Sequence, residues 1–323
     1  MTIIKKKLTT DMILRNVNTI TQKYPGFNQV ILSDMYTAPH FSGLFINCSQ
    51  ERVEVLKLYD FSQTIFIYAC EQDDIGLPFV EFIIDQGGIF EPIFCAEPSN
   101  YANTNSIARA VLEKEFIYQT AHGFAKWDFG YGDFANITQV LELTRAVAGD
   151  FVEIGCFNGS SSGVAMQYLY DANINRKCYF FDVFDGFVYE NAQTSPDRIW
   201  LGTHQTHGID AVKGRLSRFH APERGLSVTV EKLNIITDEM PKTIEKIAVA
   251  NIDVDMYEAV LASLVRLAPL IVKSGIIIVE DPGHTPGLIG ARVALERFLR
   301  NNHNFMPIYM ESGQTLLINH LAE

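Results

Sequence analysis

The chain has 323 residues, of which 47% are hydrophobic and 20% charged, a balance typical of a globular protein and unlike that of a disordered or fibrous one. Its formal net charge of −12 and its pI near 5.1 argue against a basic nucleic-acid-binding face and against a polybasic membrane contact. No apolar run reaches the roughly 18 residues that span a bilayer, and the start MTIIKKKLTTDMIL lacks the apolar segment of a signal peptide.

The five cysteines are odd in number, widely spaced and without a CxxC pair. This pattern predicts reduced thiols in a cytoplasmic protein and argues against a disulfide framework or a zinc site. The cysteines are Cys48, Cys70, Cys95, Cys156 and Cys178.

The first part of the chain consists of short apolar segments that are separated by turn signals such as DDIGLP and DQGG. They predict a small, β-rich α+β domain over residues 1–102, with a role in assembly or in covering a site, or alternatively in substrate recognition. The predicted strands are residues 29–33, 42–48, 53–59, 63–70, 79–85 and 89–95.

Residues 103–135 are predicted to link this domain to the rest of the chain. Apolar residues at helical spacing predict a helix over 103–120. The stretch HGFAKWDFGYGDF (122–134) is rich in glycine and aromatic residues and predicts a loop. Its Trp127 and Tyr131 are expected to pack against the domain, with contact to a ligand as the alternative.

From residue 136 to 323 the pattern alternates between helices and strands, which predicts parallel pairing with right-handed crossovers. The expected fold is α/β, with a Rossmann-like, mostly parallel sheet and a C-terminal antiparallel hairpin within 304–320. Ligands bind such sheets beyond the carboxyl ends of the strands, so residues just after each strand are the candidate site residues. The predicted parallel strands are 149–156, 177–184, 226–234, 247–255 and 274–281.

A glycine-containing turn follows the first of these strands in the sequence VEIGCFNGSSS (152–162). Gly155 and Gly159 permit close backbone approach, and the serines favour the start of a helix. Phe157 stands where a dinucleotide-binding loop has its second glycine, and no Gly-Lys-Ser/Thr follows. The form E-x-G-x-x-x-G-x-S therefore indicates a different ligand-binding turn or, alternatively, an ordinary strand-to-helix connection.

Acidic residues follow the next strands. Asp182 ends the second strand, where a carboxylate can accept hydrogen bonds from both ribose hydroxyls, although a helix cap is the alternative. Asp253 ends the fourth strand, and Glu280 and Asp281 end the fifth. Carboxylates that converge at one sheet edge raise one another's pKa, and Mg²⁺ relieves that repulsion. Solvent-facing acids are the alternative.

Three motifs together resemble those of a known family. VEIGCFNGSSS is similar to motif I of class I S-adenosylmethionine (SAM) methyltransferases. With FFDVFDGF, NIDVDMYEAV and IIIVEDPGH it resembles the metal-dependent macrocin O-methyltransferase family over about residues 105–320. The chain departs from the family at Val254, where glycine is usual, in having Glu-Asp for the common Asp-Asp pair, and in the position of His284.

The resemblance implies an enzyme that binds SAM and Mg²⁺ or another divalent cation. It assigns the metal ligands Asp253, Glu280 and Asp281, and it makes His284 and Asp253 the catalytic residues, with water as the alternative base to His284. The implied cofactor-binding residues are Glu153, Gly155, Cys156, Phe157, Asn158, Gly159, Ser160, Asp182, Val183 and Phe184.

The polar segment 188–210 is expected to form a lid, with Trp200 and Tyr189 as candidate lining of an acceptor pocket. His204 and His207 are spaced like a metal pair, but no third ligand lies nearby in the sequence, which argues against zinc.

The predicted function is SAM- and Mg²⁺-dependent methylation of a hydroxyl on a sugar or natural product, with a small-molecule acceptor, no nucleic-acid or membrane partner, and compatibility with a homo-oligomer. N-methylation, methylation of a saccharide chain and a non-catalytic SAM-binding scaffold remain alternatives. A nicotinamide oxidoreductase is disfavoured because the turn lacks the second glycine.

Overall fold

The computed structural model describes residues 8–34, 44–70, 73–93, 105–124, 128–188, 190–195 and 197–321. The chain divides into two compact units between Arg109 and Ala110, inside one helix. The predicted domain ranges 1–102, 103–135 and 136–323 stay predictions. Within the described ranges, no helix is long and apolar enough to cross a bilayer.

The N-terminal unit contains a four-stranded sheet in the order β2-β1-β3-β4, and every neighbouring pair is parallel. Its elements are α1 (Thr10–Lys23), β1 (Asn28–Ser33), β2 (Leu44–Asn47), β3 (Thr64–Tyr68), α2 (Asp73–Asp85) and β4 (Ile89–Pro92). The sheet is therefore parallel and flanked by helices, where the sequence predicted an α+β arrangement.

Two segments predicted as strands are helical. Residues 53–59 contain a 3₁₀ helix, Val53–Leu58, and residues 79–85 are the second half of α2. Short apolar runs fit a buried strand and a buried helix equally well, because only longer segments reveal a period. Phe79 and Ile83 are four residues apart and both are buried, which is the spacing of one helix face.

The C-terminal unit contains the remaining elements. The helix α3 (Ser106–Ala121) enters it and is followed by α4 (Tyr131–Leu143), β5 (Asp150–Ile154), α5 (Ser160–Asp171), β6 (Lys177–Asp182), α6 (Glu190–Thr194), α7 (Ile209–Ser217), β7 (Ser227–Lys232), β8 (Ile247–Ile252), α8 (Tyr257–Leu267), β9 (Ile271–Val279), α9 (Ile289–Leu299), β10 (Phe305–Tyr309) and β11 (Thr315–Asn319).

These strands form a seven-stranded sheet in the order β10-β11-β9-β8-β5-β6-β7. The pairs from β9 to β7 are parallel, and β11 runs antiparallel to both of its neighbours. The predicted mostly parallel sheet with a C-terminal antiparallel hairpin is confirmed. The predicted loop 122–134 is shorter than expected, since α4 begins at Tyr131, and the segment 188–210 contains α6 and the start of α7.

The central strands are buried on both faces, and all six residues of β8 are inaccessible to solvent. This burial explains their nearly continuous apolar sequence, which is typical of parallel strands covered by helices on both sides. From β5 the chain adds β6 and β7 on one side, and β8 and β9 lie on the other. The order therefore reverses between β5 and β8, where an α/β sheet opens a crevice at its carboxyl edge.

Candidate functional site

A cavity of about 420 Å³ lies at the carboxyl ends of β5, β6, β7, β8 and β9. Five neighbouring strands contribute to one pocket because parallel strands all end at the same edge. The lining side chains are apolar beside β7, where Leu233 and Ile235 lie, and acidic beside β8 and β9. The cavity thus has an apolar end and an anionic end, with the β5 turn between them.

The turn after β5 is shaped by close contact with β8. Gly155 has φ +92°, and a Cβ there would lie 1.7 Å from the carbonyl oxygen of Asp253. The backbone N–H of Gly155 donates to the carbonyl of Phe181 on the other side, at 2.7 Å. Gly159, with φ +75°, precedes the first residue of α5. The two glycines are therefore required by backbone geometry and let the turn lie between β6 and β8.

The structure brings six of the ten predicted cofactor residues to the cavity and places four behind it. Gly155, Cys156, Phe157, Ser160, Asp182 and Val183 line the cavity. Glu153, Asn158, Gly159 and Phe184 are not among its lining residues. Asn158 accepts a hydrogen bond from the His207 backbone at 2.8 Å, which connects the turn to the segment before α7.

Glu153 is fully buried beneath the turn. One carboxylate oxygen accepts a hydrogen bond from Asn251 at 2.9 Å, and the other accepts one from the Ser162 hydroxyl. Burial raises the pKa of Glu153. Glu153 connects β5, β8 and α5 and is not among the residues that line the cavity, and its contact with the cofactor stays a prediction.

Asp182 fixes the turn while lining the cavity. Its Oδ2 accepts a hydrogen bond from the Phe157 N–H at 2.9 Å, and its Oδ1 accepts one from the Phe184 N–H at 2.6 Å. Burial raises the pKa of Asp182. Each carboxylate oxygen can accept a further hydrogen bond. Asp182 can therefore hold the turn and bind a ribose hydroxyl together.

The acidic cluster contains Asp255 in place of Glu280, which was the third member of the predicted triad. Carboxylate oxygens of Asp253, Asp255 and Asp281 lie within 4.8 Å of one another. Asp255 has φ +54°, and its N–H donates to Asp281 Oδ2 at 3.1 Å. Burial, followed by the neighbouring carboxylates, raises the pKa of both Asp253 and Asp255 well above the usual value.

Glu280 lines the same cavity but takes no part in that three-carboxylate cluster. Its Oε2 accepts a hydrogen bond from the Gln314 side chain at 2.5 Å, and its buried Oε1 has no hydrogen-bond partner among the described residues. Burial raises the pKa of Glu280 well above its usual value, with Asp133 and Asp281 adding to the effect. Glu280 is thus a neighbour of the cluster with one oxygen free for a cation.

His284 lies at the acidic end of the cavity and is half-exposed. Its Nδ1 is 3.7 Å from Asp281 Oδ1, and its Nε2 is 3.2 Å from the carbonyl oxygen of Ser312. Interaction with Asp281 raises the pKa of His284. The shifted sequence position of His284 therefore still places its imidazole beside the acidic cluster.

Aromatic side chains cover the cavity from the segment after β6. Phe187, Trp200 and His204 line it, with the His204 ring 4.8 Å from that of Phe187 and 6.1 Å from that of Trp200. The Trp200 indole donates to the carbonyl of Gly287 at 3.0 Å. Burial lowers the pKa of His204, which favours a neutral imidazole. The other candidates, Trp127 and Tyr189, lie outside the described residues.

Three acidic lining residues were not predicted from the sequence: Asp128, Asp133 and Asp255. Asp255 stands in the quoted motif NIDVDMYEAV, so its proximity to Asp253 was the available signal. Asp128 and Asp133 lie before the sheet, where nothing in the local pattern relates them to strands more than a hundred residues away. Only the fold brings those two side chains to the cavity.

The residues present fit the groups that the resemblance implies. Oxygen-only donors are what Mg²⁺ prefers, and the unpartnered Oε1 of buried Glu280 is a carboxylate oxygen that lacks a cation or a donor. Gly155 and Phe157 of the turn line the cavity, and Asp182 stands beside them, bound to the Phe157 N–H. The cavity can therefore accept a nucleoside beside Asp182 and a cation at the cluster.

Comparison with known proteins shows the family and the fold. A sequence model of the macrocin O-methyltransferase (TylF) family matches residues 130–310. The O-methyltransferase NovP, whose structure has been solved, is 21% identical in sequence to this chain. The structural alignment covers 59% of this chain and 81% of NovP, with a TM-score of 0.50. The calicheamicin methyltransferase CalS11 is 18% identical in sequence. Its alignment covers 70% of this chain and 95% of CalS11, with a TM-score of 0.46.

The O-methyltransferase TomG from Streptomyces achromogenes, described in complex with SAM, is 13% identical in sequence. Its alignment covers 65% of this chain and 89% of TomG, with a TM-score of 0.42. No curated protein matches the chain. The likeness to NovP shows the fold. Because the family match covers more than half of its residues, the chain belongs to the macrocin O-methyltransferase family, and the protein is an O-methyltransferase.

Proposed function

We propose that the protein transfers the methyl group of SAM to a hydroxyl group of a sugar or another natural-product small molecule, with Mg²⁺ held at the acidic cluster. One observation carries the proposal. A glycine turn with Asp182 and a cluster of Asp253, Asp255 and Asp281 line the same cavity at the switch point of the sheet. A nucleoside-binding edge and an oxygen-only cation site thus lie in one pocket.

The apolar end of the cavity suits the adenosine part of SAM. Leu233 and Ile235 offer apolar surface for the adenine ring, and Asp182 accepts hydrogen bonds from the ribose. The Phe157 N–H holds the Asp182 carboxylate at 2.9 Å, so the acceptor oxygens are fixed before the ligand arrives. SAM supplies the electrophilic methyl group of its sulfonium centre.

The anionic end suits the cation and the acceptor hydroxyl. Asp253, Asp255 and Asp281 would hold Mg²⁺, with the free oxygen of Glu280 as a further donor. When bound, the cation lowers the pKa of a hydroxyl and offsets the negative charge of the cluster. The backbone contact between Gly155 and Asp253 ties this cluster to the cofactor turn, which limits movement between the two ends.

His284 is the proposed acceptor of the hydroxyl proton. Its Nε2 faces the carbonyl oxygen of Ser312, so we assign the Nε2–H tautomer, which leaves the lone pair on Nδ1. In the metal-free protein, interaction with Asp281 raises the pKa of His284. Half of the side chain is exposed, so the proton can pass on to solvent.

The anionic end of the cavity, where the acceptor would bind, has aromatic rings and an excess of negative charge. Phe187, Trp200 and the neutral His204 offer surfaces against which a sugar or aromatic ring can pack. No lysine or arginine is among the described lining residues, whereas several carboxylates are. These features favour a neutral or cationic acceptor over an anionic one. The cytoplasmic location, the homo-oligomer and the absence of nucleic-acid and membrane partners stay predictions.

The test is calorimetric titration of the EDTA-treated protein with SAM, with and without Mg²⁺, followed by mass-spectrometric assay of a panel of hydroxyl and amine acceptors. We expect SAM binding that Asp182→Asn weakens, and Mg²⁺ binding that Asp253→Asn removes. Asp185→Asn is the matched control, since Asp185 is exposed and pairs with Lys232 outside the cavity.

No SAM binding in any condition would overturn the proposal. Methylation of amines alone would select N-methylation, and SAM binding without turnover on any acceptor would favour the scaffold alternative. Full activity of Asp253→Asn in EDTA would remove Mg²⁺ from the proposal.

A further inference from the structure

The amino-acid end of SAM carries an ammonium and a carboxylate, and buried charges of this kind need partners. Backbone N–H groups at the start of α5 suit the carboxylate. The ammonium needs an anion or another acceptor at the same end of the cavity. Glu153 was expected there, but Asn251 and the Ser162 hydroxyl already engage its two oxygens below the turn.

Asp128 is a different carboxylate at this end. It lines the cavity together with Gly155, Ser160 and Ser161, the residues that begin and end the turn. The Ser160 hydroxyl lies 2.6 Å from Asp128 Oδ2 and 2.7 Å from a second acceptor, Gln119 Oε1, and Ser160 is the first residue of α5. Among the described residues, no hydrogen-bond donor contacts its Oδ1.

The surroundings of Asp128 indicate a carboxylate that lacks a close cation. Burial raises its pKa to about 6, against the opposing effects of the Ser160 hydroxyl and of Arg215. Arg215 is engaged elsewhere, with Glu115 at 3.4 Å and the Asn158 carbonyl at 3.3 Å. A positive group placed in the cavity against Asp128 would favour its ionised form.

We propose that Asp128 binds the α-ammonium group of SAM, opposite the start of α5, and that Ser160 holds the Asp128 carboxylate in position. This inference rests on the proposed function. It places the ammonium contact on the segment before α4, outside the seven-stranded sheet, where Glu153 within β5 was the expected partner.

Two other acids close to this region do not fit the role. Glu115 is buried away from the cavity and pairs with Arg215 and Arg218. Asp133 lines the cavity, but the groups that act on its pKa are His284, Ser312 and Asp281, which places it at the acidic end. Because Asp182 is assigned to the ribose, Asp128 remains as the carboxylate beside the start of α5.

The test compares the wild type with the Asp128→Asn variant for the binding of three ligands, measured by calorimetric titration. The ligands are S-adenosylhomocysteine, its analogue with hydrogen in place of the α-amino group, and 5′-methylthioadenosine, which lacks the whole amino-acid part. Asp128→Asn keeps the size of the side chain and removes the charge. We expect it to weaken binding of S-adenosylhomocysteine by about 10- to 100-fold, the range for a hydrogen bond to a charged group.

The same variant should bind the deamino analogue and 5′-methylthioadenosine as tightly as the wild type does. A merely structural role for Asp128 would weaken all three ligands together, and that result overturns the inference. It is also overturned if Asp128→Asn keeps the full preference for S-adenosylhomocysteine over the deamino analogue. Asp128→Ser provides the second variant if the asparagine variant unfolds.

The outcome separates this inference from the proposed function. Wild-type protein that binds none of the three ligands and no SAM refutes the function itself. Wild-type protein that binds S-adenosylhomocysteine no better than its deamino analogue refutes only the ammonium contact.

Discussion

The Cα of Gly155 lies so close to Asp253 that a Cβ would stand 1.7 Å from the Asp253 carbonyl oxygen and 2.6 Å from its carbonyl carbon. Asp253 in turn donates its N–H to the carbonyl of Ile154 at 2.9 Å. The cofactor turn and the acidic cluster are therefore joined through the backbone.

Gly155→Ala should lower the free energy of unfolding by more than the cost of a positive φ, which is about 1–2 kcal/mol. The added Cβ must displace backbone that has no freedom to move, so binding of S-adenosylhomocysteine and of Mg²⁺ should fall together. Urea denaturation and titration calorimetry measure both effects.

Gly202→Ala is the matched control, because Gly202 also has a positive φ, +78°, but no atom within 4 Å of the added Cβ. The free energy of unfolding of this variant should fall by about 1–2 kcal/mol and no more. Equal losses for the two variants would show that the contact with Asp253 does not matter.

The metal-free protein should become less stable as the pH rises from about 4, the ordinary pKa of a carboxyl group, to the raised pKa values of its buried acids. An acid whose pKa is higher in the folded chain holds its proton there while the unfolded chain has lost it, so stability falls as pH rises through that interval. Such raised values occur at Asp128, Asp133, Glu153, Asp182, Asp253, Asp255 and Glu280. The dependence of stability on pH is measured from unfolding temperatures in EDTA over a series of pH values.

Mg²⁺ should reduce this slope, because a ligand that binds only the folded state stabilises it and offsets the carboxylate repulsion. Asp253→Asn should show a shallower slope in EDTA and no response to Mg²⁺. A pH dependence that is unchanged by both the cation and the substitution would contradict the role of the cluster.

Arg215 should be a major contributor to the stability of the C-terminal unit. Its guanidinium is fully buried and contacts Glu115 and Gln119 of α3 at 3.4 Å and Ser160 of α5 at 3.4 Å. Arg218 still pairs with Glu115 when Arg215 is removed, but Glu115 Oε2 and the Gln119 side chain lose a buried donor, so Arg215→Met should cost about 1–3 kcal/mol in urea denaturation.

The same substitution at Arg224 is the control. The Arg224 guanidinium is hydrogen-bonded to Asn173 in an exposed setting, so Arg224→Met should cost no more than about 1 kcal/mol. If Arg215→Met is equally mild, the arginine network does not fix α3 and α7 to the cofactor turn.

Asp197 should determine the position of Trp200. The Asp197 carboxylate is buried and accepts hydrogen bonds from the Tyr257 N–H at 2.9 Å and from the Gly290 N–H at 3.1 Å, at the starts of α8 and α9. Asp197→Ala removes both caps and should cost about 1 kcal/mol for each. In a Trp127→Phe background, the emission of Trp200 should shift to longer wavelength as the indole becomes exposed.

Thr9→Ala is the control for this experiment. Thr9 caps α1 in the N-terminal unit through the Met12 N–H at 3.2 Å, so its loss should cost about 1 kcal/mol without changing Trp200 emission. Unchanged emission in the Asp197 variant would mean that the indole bond to Gly287 is sufficient to hold Trp200.

The sheet of the C-terminal unit was predictable because its parallel strands, most of them apolar, alternate with helices along the chain. The N-terminal unit was less predictable, since the runs 53–59 and 79–85 are too short to reveal a helical period, and Val53-Glu54-Val55 alternates as a strand does. Leu56 is buried and Leu58 is 82% exposed, although both are leucine in one short run, so burial there depends on the packing partners. Local composition does not contain that information.

The family, the parallel sheet of the C-terminal unit and the motifs that end its strands were predictable from the sequence alone, because each depends on residues close together in the chain. Only the tertiary structure showed that Asp255 joins Asp253 and Asp281, that Glu153 is enclosed by Asn251, and that Asp128 reaches the cavity. Those facts depend on side-chain direction and on contacts between distant segments. Strand order, positive φ and burial decide such contacts, and none of the three can be read from residue spacing alone.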